Sequence, residues 1–498
     1  MLCVHRQPKP SGAHSFFDRY YAVLAVAVLG LAAFNLAFRV GSEFVTEWDE
    51  SLYAISAWEA LDKGSWVGTT FLGELDYYNT KPPLLVWLTA LAFKAFGPSL
   101  TSLRVVPALS AWMTVAVLQH WTKRCFGPIV ALLSSLVLAT TFGFVYVHSG
   151  RNAATDAPFT LVILLTVVAL WAERERPGLR AWLGPLLATA FLLRGMAVLM
   201  PLALVVVVLF SRTRVRNRTW TPTLSALALF VLPVGAWGVA RHQVDGWKFL
   251  KPLFMYDFVA RTVGPIEGHP GGPFYYVNIL AKHHYDWLVV GGVALLLFPV
   301  PWRRVAARFA NWRDGQEPTL LIAAWVGVTF LIPTVMQTKV PWYLNPFYPV
   351  FAVVLGLILA RGFSSAASAP SPRWRRAVLS AVIVLMLGVA EGKLQWYSFH
   401  YRDVRLSPQA LMLTERDRLR GHRLYQERTT RADRFVAGAI VGTDLHPNTD
   451  LAGFLSDSRR GDYFLTAGPA PIRELDVVRT NGRQSLCRRH CRHRDRGF

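Results

Sequence analysis

The sequence predicts an all-α, polytopic membrane protein with a small extracytoplasmic α/β region at its C-terminal end. Three observations carry this. The 498 residues are 53% hydrophobic and only 17% charged, and the mean hydropathy is +0.31, too apolar and too charge-poor for an ordinary soluble enzyme. Apolar runs long enough to cross a bilayer recur as far as residue 391, and from about 392 the composition turns polar. Unbroken apolar runs need helices to satisfy their backbone groups in lipid, which excludes a disordered chain, a collagen-like fibre and a porin-type barrel.

About twenty apolar residues span a bilayer, and on that rule the crossings fall near 20–40, 101–121, 127–147, 157–173, 182–193, 196–210, 221–240, 286–302, 319–336, 341–361 and 375–391. These are eleven crossings, the fifth and sixth unusually short. The first follows His5, Arg6, Lys9 and Arg19 and reads as an uncleaved start helix, because its apolar stretch is long and many spans follow.

Segment 82–97 has the length of either a short span or a helix lying in the interface, and charge placement decides between them. If it lies flat on the outer face, Lys123/Arg124, Arg174/Arg176/Arg180, Arg212/Arg214/Arg216/Arg218, Arg303/Arg304/Arg308 and Arg373/Arg375/Arg376 all become cytoplasmic. The formal charge of +22, from 53 basic and 31 acidic residues, then belongs to cytoplasmic loops and requires no nucleic-acid partner. The N-terminus is accordingly cytoplasmic. A membrane domain covers 1–391, with a first outer loop at 41–100 and a large outer loop at 241–285, and an extracytoplasmic region covers 392–498.

No repeat of fixed period is present, and Ser364–Pro372 reads as a solvated cytoplasmic loop. In the C-terminal region a helix is expected over 447–458, with strands at Ala437–Val441, Asp462–Ala467 and Leu475–Leu486 around an Asn481-Gly482 turn. Cys3, Cys125, Cys487 and Cys491 suggest no disulfide framework. The tail from Cys487 to His493 has metal-ligand residue types at uneven spacing, and a plain basic tail is the expectation there.

The candidate chemistry concentrates in the first outer segment, the acidic exception in a basic chain. It holds Glu43, Glu47, Asp49, Glu50, Glu59, Asp62, Glu74 and Asp76 against Lys63 and Lys81. The spacing of Tyr53, Ala54, Ala57 and Leu61 predicts an amphipathic helix starting near Asp49. The plain reading is that these carboxylates cap that helix. The segment ends in Tyr77-Tyr78-Asn79-Thr80-Lys81-Pro82-Pro83-Leu84, where a lysine precedes a proline-opened interfacial helix at a depth where it can meet a lipid phosphate or simply snorkel to the interface.

These residues carry a resemblance. The order Trp48-Asp49-Glu50…Tyr53…Ala57, Tyr78-Asn79-Thr80-Lys81-Pro82-Pro83-Leu84…Trp87 and Phe96-Gly97…Arg104 is similar to that of the polyprenyl-phosphate-sugar-dependent glycosyltransferases of superfamily C (GT-C), which include lipid A aminoarabinose transferase and the protein O-mannosyltransferases. Gly150-Arg151…Thr155-Asp156…Pro158, Leu193-Arg194-Gly195…Pro201, Gly272-Pro273-Phe274-Tyr275-Tyr276 and Lys339…Pro341-Trp342-Tyr343-Leu344…Tyr348-Pro349 extend it over roughly 20–360. It implies a GT-C-type fold of about 11–13 transmembrane helices, with juxtamembrane helices in the first outer loop.

The resemblance also implies an activity: an inverting glycosyltransferase that moves a hexosyl or pentosyl group from a polyprenyl-phosphate carrier to an acceptor hydroxyl of lipid A, another glycolipid, or a protein serine or threonine. The reaction is placed on the outer face of a bacterial-type cytoplasmic (inner) membrane. Asp49 is then the candidate base, Glu50 and Asp156 position acceptor and sugar, and Lys81, Arg151, Lys339 and Tyr343 contact the donor phosphate. One carboxylate suffices, because a phosphate leaves as a weakly basic anion that cations can stabilise in place of a general acid. The predicted topology places Asp49, Lys81, Arg151, Asp156, His269 and Lys339 on this one side. In aminoarabinose transferases a metal-associated glutamate precedes the lysine; this chain has Thr80, so no cofactor is required, and Glu267 and His269 are the weak candidates for a divalent metal. The partners implied are the lipid-linked sugar donor, a membrane-lipid or protein acceptor, and the bilayer. A transporter or flippase is the alternative, suggested by the short broken pair 182–193/196–210.

Overall fold

The structure is a computed structural model, and it describes residues 16–211, 220–265, 267–300, 318–363, 372–468 and 475–489. The basic clusters at 212–218 and 303–308, most of the Ser364–Pro372 stretch and the tail beyond Arg489 lie outside the described residues. By contacts the chain forms two compact units: Met1–Phe38 with Thr80–Leu85 and Val106–Gln395, and Arg39–Asn79 with Val86–Val105 and Trp396–Phe498.

The protein is mostly helical and multi-pass. Among the described residues seven helical segments are long and apolar enough to cross a membrane: Tyr21–Ser42, Ser102–Phe126, Asp156–Glu173, Gly178–Phe210, Thr221–Asp245, Pro341–Phe363 and Arg373–His400. Shorter apolar helices lie at Leu84–Phe96, Pro128–Ala139, Tyr285–Leu297 and Thr319–Val335. The expected run 127–147 is interrupted after Ala139, where the Thr140 and Thr141 hydroxyls bond back to the carbonyls of Leu136 and Val137 and end the helix. The short pair 182–193/196–210 is one segment broken at Gly195, which takes φ +56° between the helices Leu183–Arg194 and Leu199–Ser211. The last apolar helix runs on past the expected 391 to His400, so it includes Glu391 and Lys393, paired with Asn35 and Asp286.

Inside this first unit the helices approach closely at small residues. A Cβ added at Gly356 would strike Ser134 on Pro128–Ala139, and one at Gly184 would strike the Ala226 carbonyl on Thr221–Asp245. Without a hydrophobic force between helices in lipid, such contacts supply packing that bulkier residues would prevent.

The second unit begins with the helix Asp49–Lys63 and a small hairpin, β1 (Thr70–Phe71) and β2 (Glu74–Leu75). It continues through the helix Leu84–Phe96, where Phe93 stacks on Phe435 at 5.6 Å. Its C-terminal part is a five-stranded sheet built from β3 (Arg423–Gln426), β4 (Asp444–Pro447), β5 (Tyr463–Thr466), β6 (Leu475–Thr480) and β7 (Ser485–Arg489). The order is β4-β3-β5-β7-β6, with β3 parallel to β4 and β5 and the rest antiparallel. Helix Leu451–Asp457, started by Asp450 accepting the Gly453 amide, packs Phe454 onto a core of Tyr425, Phe464, Leu475 and Cys487.

The expected hairpin closes at Asn481-Gly482 as β6–β7. The expected strand Ala437–Val441 is instead a π-helical turn, Val436–Val441. A capping box of Thr430 and Asp433 starts the helix Arg431–Phe435 just before it, and the apolar run continues that helix. β3 and β4, which the sequence did not suggest, pair in parallel across a connection of this helical kind. Cys487 is fully buried on β7, and burial pushes its thiol up to about 11.

Candidate active site

In the second unit the turn that opens the helix Asp49–Lys63 is built around a buried arginine. Arg104 is fully enclosed, and it donates from Nη1 to the carbonyls of Val40 and Glu43, from Nη2 to Phe44, and from Nε to Glu50 Oε1 at 2.8 Å. The other oxygen of Glu50 accepts from the Thr46 amide and hydroxyl at 2.8 and 2.9 Å and faces Arg402 at 3.5 Å. Burial by itself would raise the Glu50 carboxyl, but the guanidiniums of Arg104 and Arg402 outweigh it and hold the group at about 2. Glu50, expected at the acceptor, is thus enclosed with both oxygens engaged. Its influence on an acceptor would run through the turn it fixes.

One residue earlier, Asp49 is half-buried at the first helical position, where a carboxylate suits the helix dipole. The residue before it, Trp48, has φ +73° and an exposed ring. A bulky side chain in that backbone region costs about 1–3 kcal/mol and persists where its surroundings over-determine it. Glu47 completes the turn by accepting the backbone amides of Arg431 and Ala432.

In the first unit a polar chain links several of the other expected residues. Lys81 Nζ donates to both oxygens of Asp257 at 2.8 and 2.9 Å, and Arg261 Nε lies 3.3 Å from the same carboxylate. Asp257 sits on a π-helical turn, Met255–Ala260, of the kind that often marks functional sites. Burial would raise its carboxyl, yet Lys81, the Thr80 hydroxyl and Arg261 bring it below the usual range. Arg261 also bonds Glu267 at 3.1 Å, and the Tyr343 hydroxyl lies in its electrostatic surroundings. The Tyr343 ring lies 5.6 Å from the Arg194 guanidinium, and Arg194 is ion-paired with Asp156 at the start of the helix Asp156–Glu173.

The remaining two cations expected at the donor phosphate hold helix ends. Arg151 donates to the Asn35 and Phe38 carbonyls at the end of the helix Tyr21–Ala37, both at 2.7 Å. Lys339 Nζ donates to the Thr334 and Met336 carbonyls at 2.6 Å after the helix Ile332–Val335, and burial lowers its ammonium. Free carbonyls at a helix C-terminus attract cations. Lys81, Asp156 and Tyr343 therefore join one chain through Asp257, Arg261 and Arg194. The sequence reading missed Asp257 and Arg261, although their i,i+4 charge spacing in the segment 241–285 was a legible signal. Glu267 is engaged by Arg261 and by the Tyr256 hydroxyl at 2.7 Å, while the His269 ring faces Trp342 and its carbonyl accepts the Lys339 amide. Among the described residues no three His, Cys, Asp or Glu side chains gather where a metal could bind.

Residues 80–237 match the model of the family described as dolichyl-phosphate-mannose-protein mannosyltransferase. The undecaprenyl phosphate-α-4-amino-4-deoxy-L-arabinose arabinosyl transferase of Pseudomonas savastanoi pv. phaseolicola is 26% identical over 326 residues, covering 64% of this chain and 58% of that protein. The protein of the same description from Pseudomonas aeruginosa is 28% identical over 345 residues, covering 66% and 59%. The chain thus spans less than two thirds of the length of these relatives. In fold it is similar to ArnT from Cupriavidus metallidurans bound to undecaprenyl phosphate, with a TM-score of 0.65 at 15% identity, over 95% of this chain and 98% of that one. The Archaeoglobus fulgidus oligosaccharyltransferase in its apo form matches at a TM-score of 0.51 and 13% identity, over 89% and 66%. By sequence over about two thirds of its length and by fold over nearly all of it, the chain resembles the polyprenyl-phosphate-sugar-dependent glycosyltransferases of superfamily C, and among them the aminoarabinose transferases.

Proposed function

We propose that this protein is an inverting glycosyltransferase that moves a sugar from a polyprenyl-phosphate carrier to an acceptor hydroxyl at the outer face of a bacterial inner membrane. The observation that carries this is the meeting of Lys81 and Arg261 on the single carboxylate of Asp257. A lysine and an arginine held this close form a paired cation, and the donor's phosphodiester, which becomes a phosphate monoester as the sugar leaves, takes over from Asp257 as their anion. Tyr343, in the electrostatic surroundings of Arg261, adds a neutral donor.

In the reaction the acceptor oxygen attacks the anomeric carbon from the face opposite the phosphate. The bond from that carbon to the phosphate oxygen breaks, and the electron pair leaves on the phosphate, where Lys81 and Arg261 stabilise it. The acceptor proton goes to the carboxylate of Asp49. Glu50 fixes the turn that presents Asp49, and Asp156 holds Arg194 beside Tyr343. Nothing in the relatives or the fold favours a transporter.

The experiment is to incubate the purified chain with undecaprenyl-phosphate sugars, including 4-amino-4-deoxy-L-arabinose and mannose, and to follow release of undecaprenyl phosphate with and without lipid A or a serine/threonine peptide. Consumption of one donor, lost in Lys81→Ala and Arg261→Ala, is expected. No turnover of any polyprenyl-phosphate sugar, with either acceptor, would overturn the reading.

A further inference from the structure

The segment that leads into Asp49 is tied residue by residue to the C-terminal part of its own unit. The Phe44 amide donates to the Arg402 carbonyl at 3.0 Å. The Gln409 side chain takes the Val45 amide at 2.9 Å and gives its own N–H to the Val45 carbonyl at 3.0 Å. Glu47 then reaches the start of the helix Arg431–Phe435, its two oxygens 3.2 and 3.3 Å from the amides of Arg431 and Ala432. The Arg431 guanidinium turns back over the entry to the turn, 5.1 Å from the Trp48 ring, 5.4 Å from Tyr78 and 5.6 Å from Phe71, with its Nε 3.8 Å from Glu47.

Thr430 and Asp433 already form a complete capping box for this helix, so the helix has its own start signal without Glu47. The turn depends on the contact more than the helix does. Trp48 is in a backbone region that a tryptophan leaves unless its surroundings hold it; its carbonyl accepts from the Ser51 hydroxyl and the Leu52 amide, and the chain on either side of it is anchored at Glu47 and Glu50. Asp49, itself half-buried, lies between these two anchored carboxylates.

We infer that Glu47 and Arg431 are positioning residues through which the C-terminal region sets the aim of Asp49. This rests on the reading of Asp49 as the base. A sheet-bearing appendage is thereby part of the transfer machinery, although none of its residues need touch a substrate. Removing the Glu47 carboxylate releases the upstream side of the turn, Trp48 relaxes toward an ordinary backbone conformation, and the Asp49 carboxylate loses its aim without leaving the protein.

The test uses the full chain, purified, with the undecaprenyl-phosphate sugar that the wild type consumes. Glu47→Ala should lower kcat by about 10²-fold, the usual cost of a displacement near 1 Å, with donor KM unchanged. Arg431→Ala should lower kcat less, and Arg431→Lys should recover part of the loss, because a lysine keeps the charge over the rings but not the planar contact. Glu47→Gln, which still accepts an amide, guards against a Glu47→Ala chain that fails to fold. In an Asp49→Asn background the Glu47→Ala change should have almost no further effect on the residual rate, since it acts through Asp49. Equal losses from Glu47→Ala in both backgrounds, or a fall in thermal stability at unchanged kcat, would overturn the inference. Near-normal turnover of Asp49→Asn by itself would instead remove the reading of Asp49 on which it rests.

Discussion

The carboxylate of Asp257 meets Lys81 Nζ through both oxygens, at 2.8 and 2.9 Å, across a sequence separation of 176 residues. Lys81 is 22% exposed and Asp257 only 6%. A largely buried anion is thereby neutralised by a cation that keeps access to solvent, which suits a site whose resident carboxylate yields its partners to an arriving phosphate.

Lys81→Ala should weaken binding of undecaprenyl phosphate by about 10–100-fold, the loss of one charge-assisted contact of roughly 1.5–3 kcal/mol. Lys81→Arg should keep part of the affinity. Arg261→Ala should resemble Lys81→Ala, and the double variant should lose less than the sum, because both act on one anion. Isothermal titration of the purified variants checks this; unchanged affinity in Lys81→Ala would leave Lys81 as an interfacial anchor only.

Asp49→Asn keeps the size and most hydrogen bonding of the side chain while removing its ability to take a proton. Transfer should fall by at least about 10²-fold, as general-base catalysis contributes about 10²–10⁴. Undecaprenyl phosphate binding and thermal stability should change little. Single-turnover assays separate these, and if transfer persists, Asp156 is the next carboxylate to replace.

Glu50 carries a stability prediction with a definite sign. Its folded carboxyl is held at about 2, below the 4.5 of an unperturbed glutamate. The stabilisation is fully present above about 4.5 and is lost as pH falls toward 2. The melting temperature should therefore drop across that window in the wild type. At neutral pH Glu50→Gln should cost about 3–5 kcal/mol, because Arg104 and Arg402 stay buried after their carboxylate is gone. A Glu50→Gln melting temperature equal to wild type would contradict the buried network.

The sidedness follows from loop charge, and a reporter decides it. A fusion after Gly68 should report an extracytoplasmic position and one after Glu175 a cytoplasmic position. Reversed labels would move Asp49 and Lys81 to the wrong side for a donor carried at the outer face.

The sequence by itself determined the membrane-spanning helices, the helix beginning at Asp49, the short helix after Pro82-Pro83 and the β6–β7 hairpin. Each rests on a local signal: an apolar run of bilayer length, a 3.6-residue period, a proline pair, an Asn-Gly turn. It also put forward Asp49 and Lys81 as candidates, since a carboxylate and a lysine at the edges of apolar segments stand out against their surroundings. What only the tertiary structure decided is which charge meets which. A guanidinium reads the same in sequence whether it caps a helix end, as Arg151 does, or shares a carboxylate with Lys81, as Arg261 does. Glu47, Asp49 and Glu50 lie within four positions of one another in the sequence, and the fold sends the first to the Arg431 and Ala432 amides and the last to Arg104. The middle one, Asp49, is half-buried at the head of its helix. Apart from the i,i+4 pair of Asp257 and Arg261, these pairings join residues from 54 to 385 positions apart, and no period or spacing along the chain encodes a contact that exists only once the helices have packed.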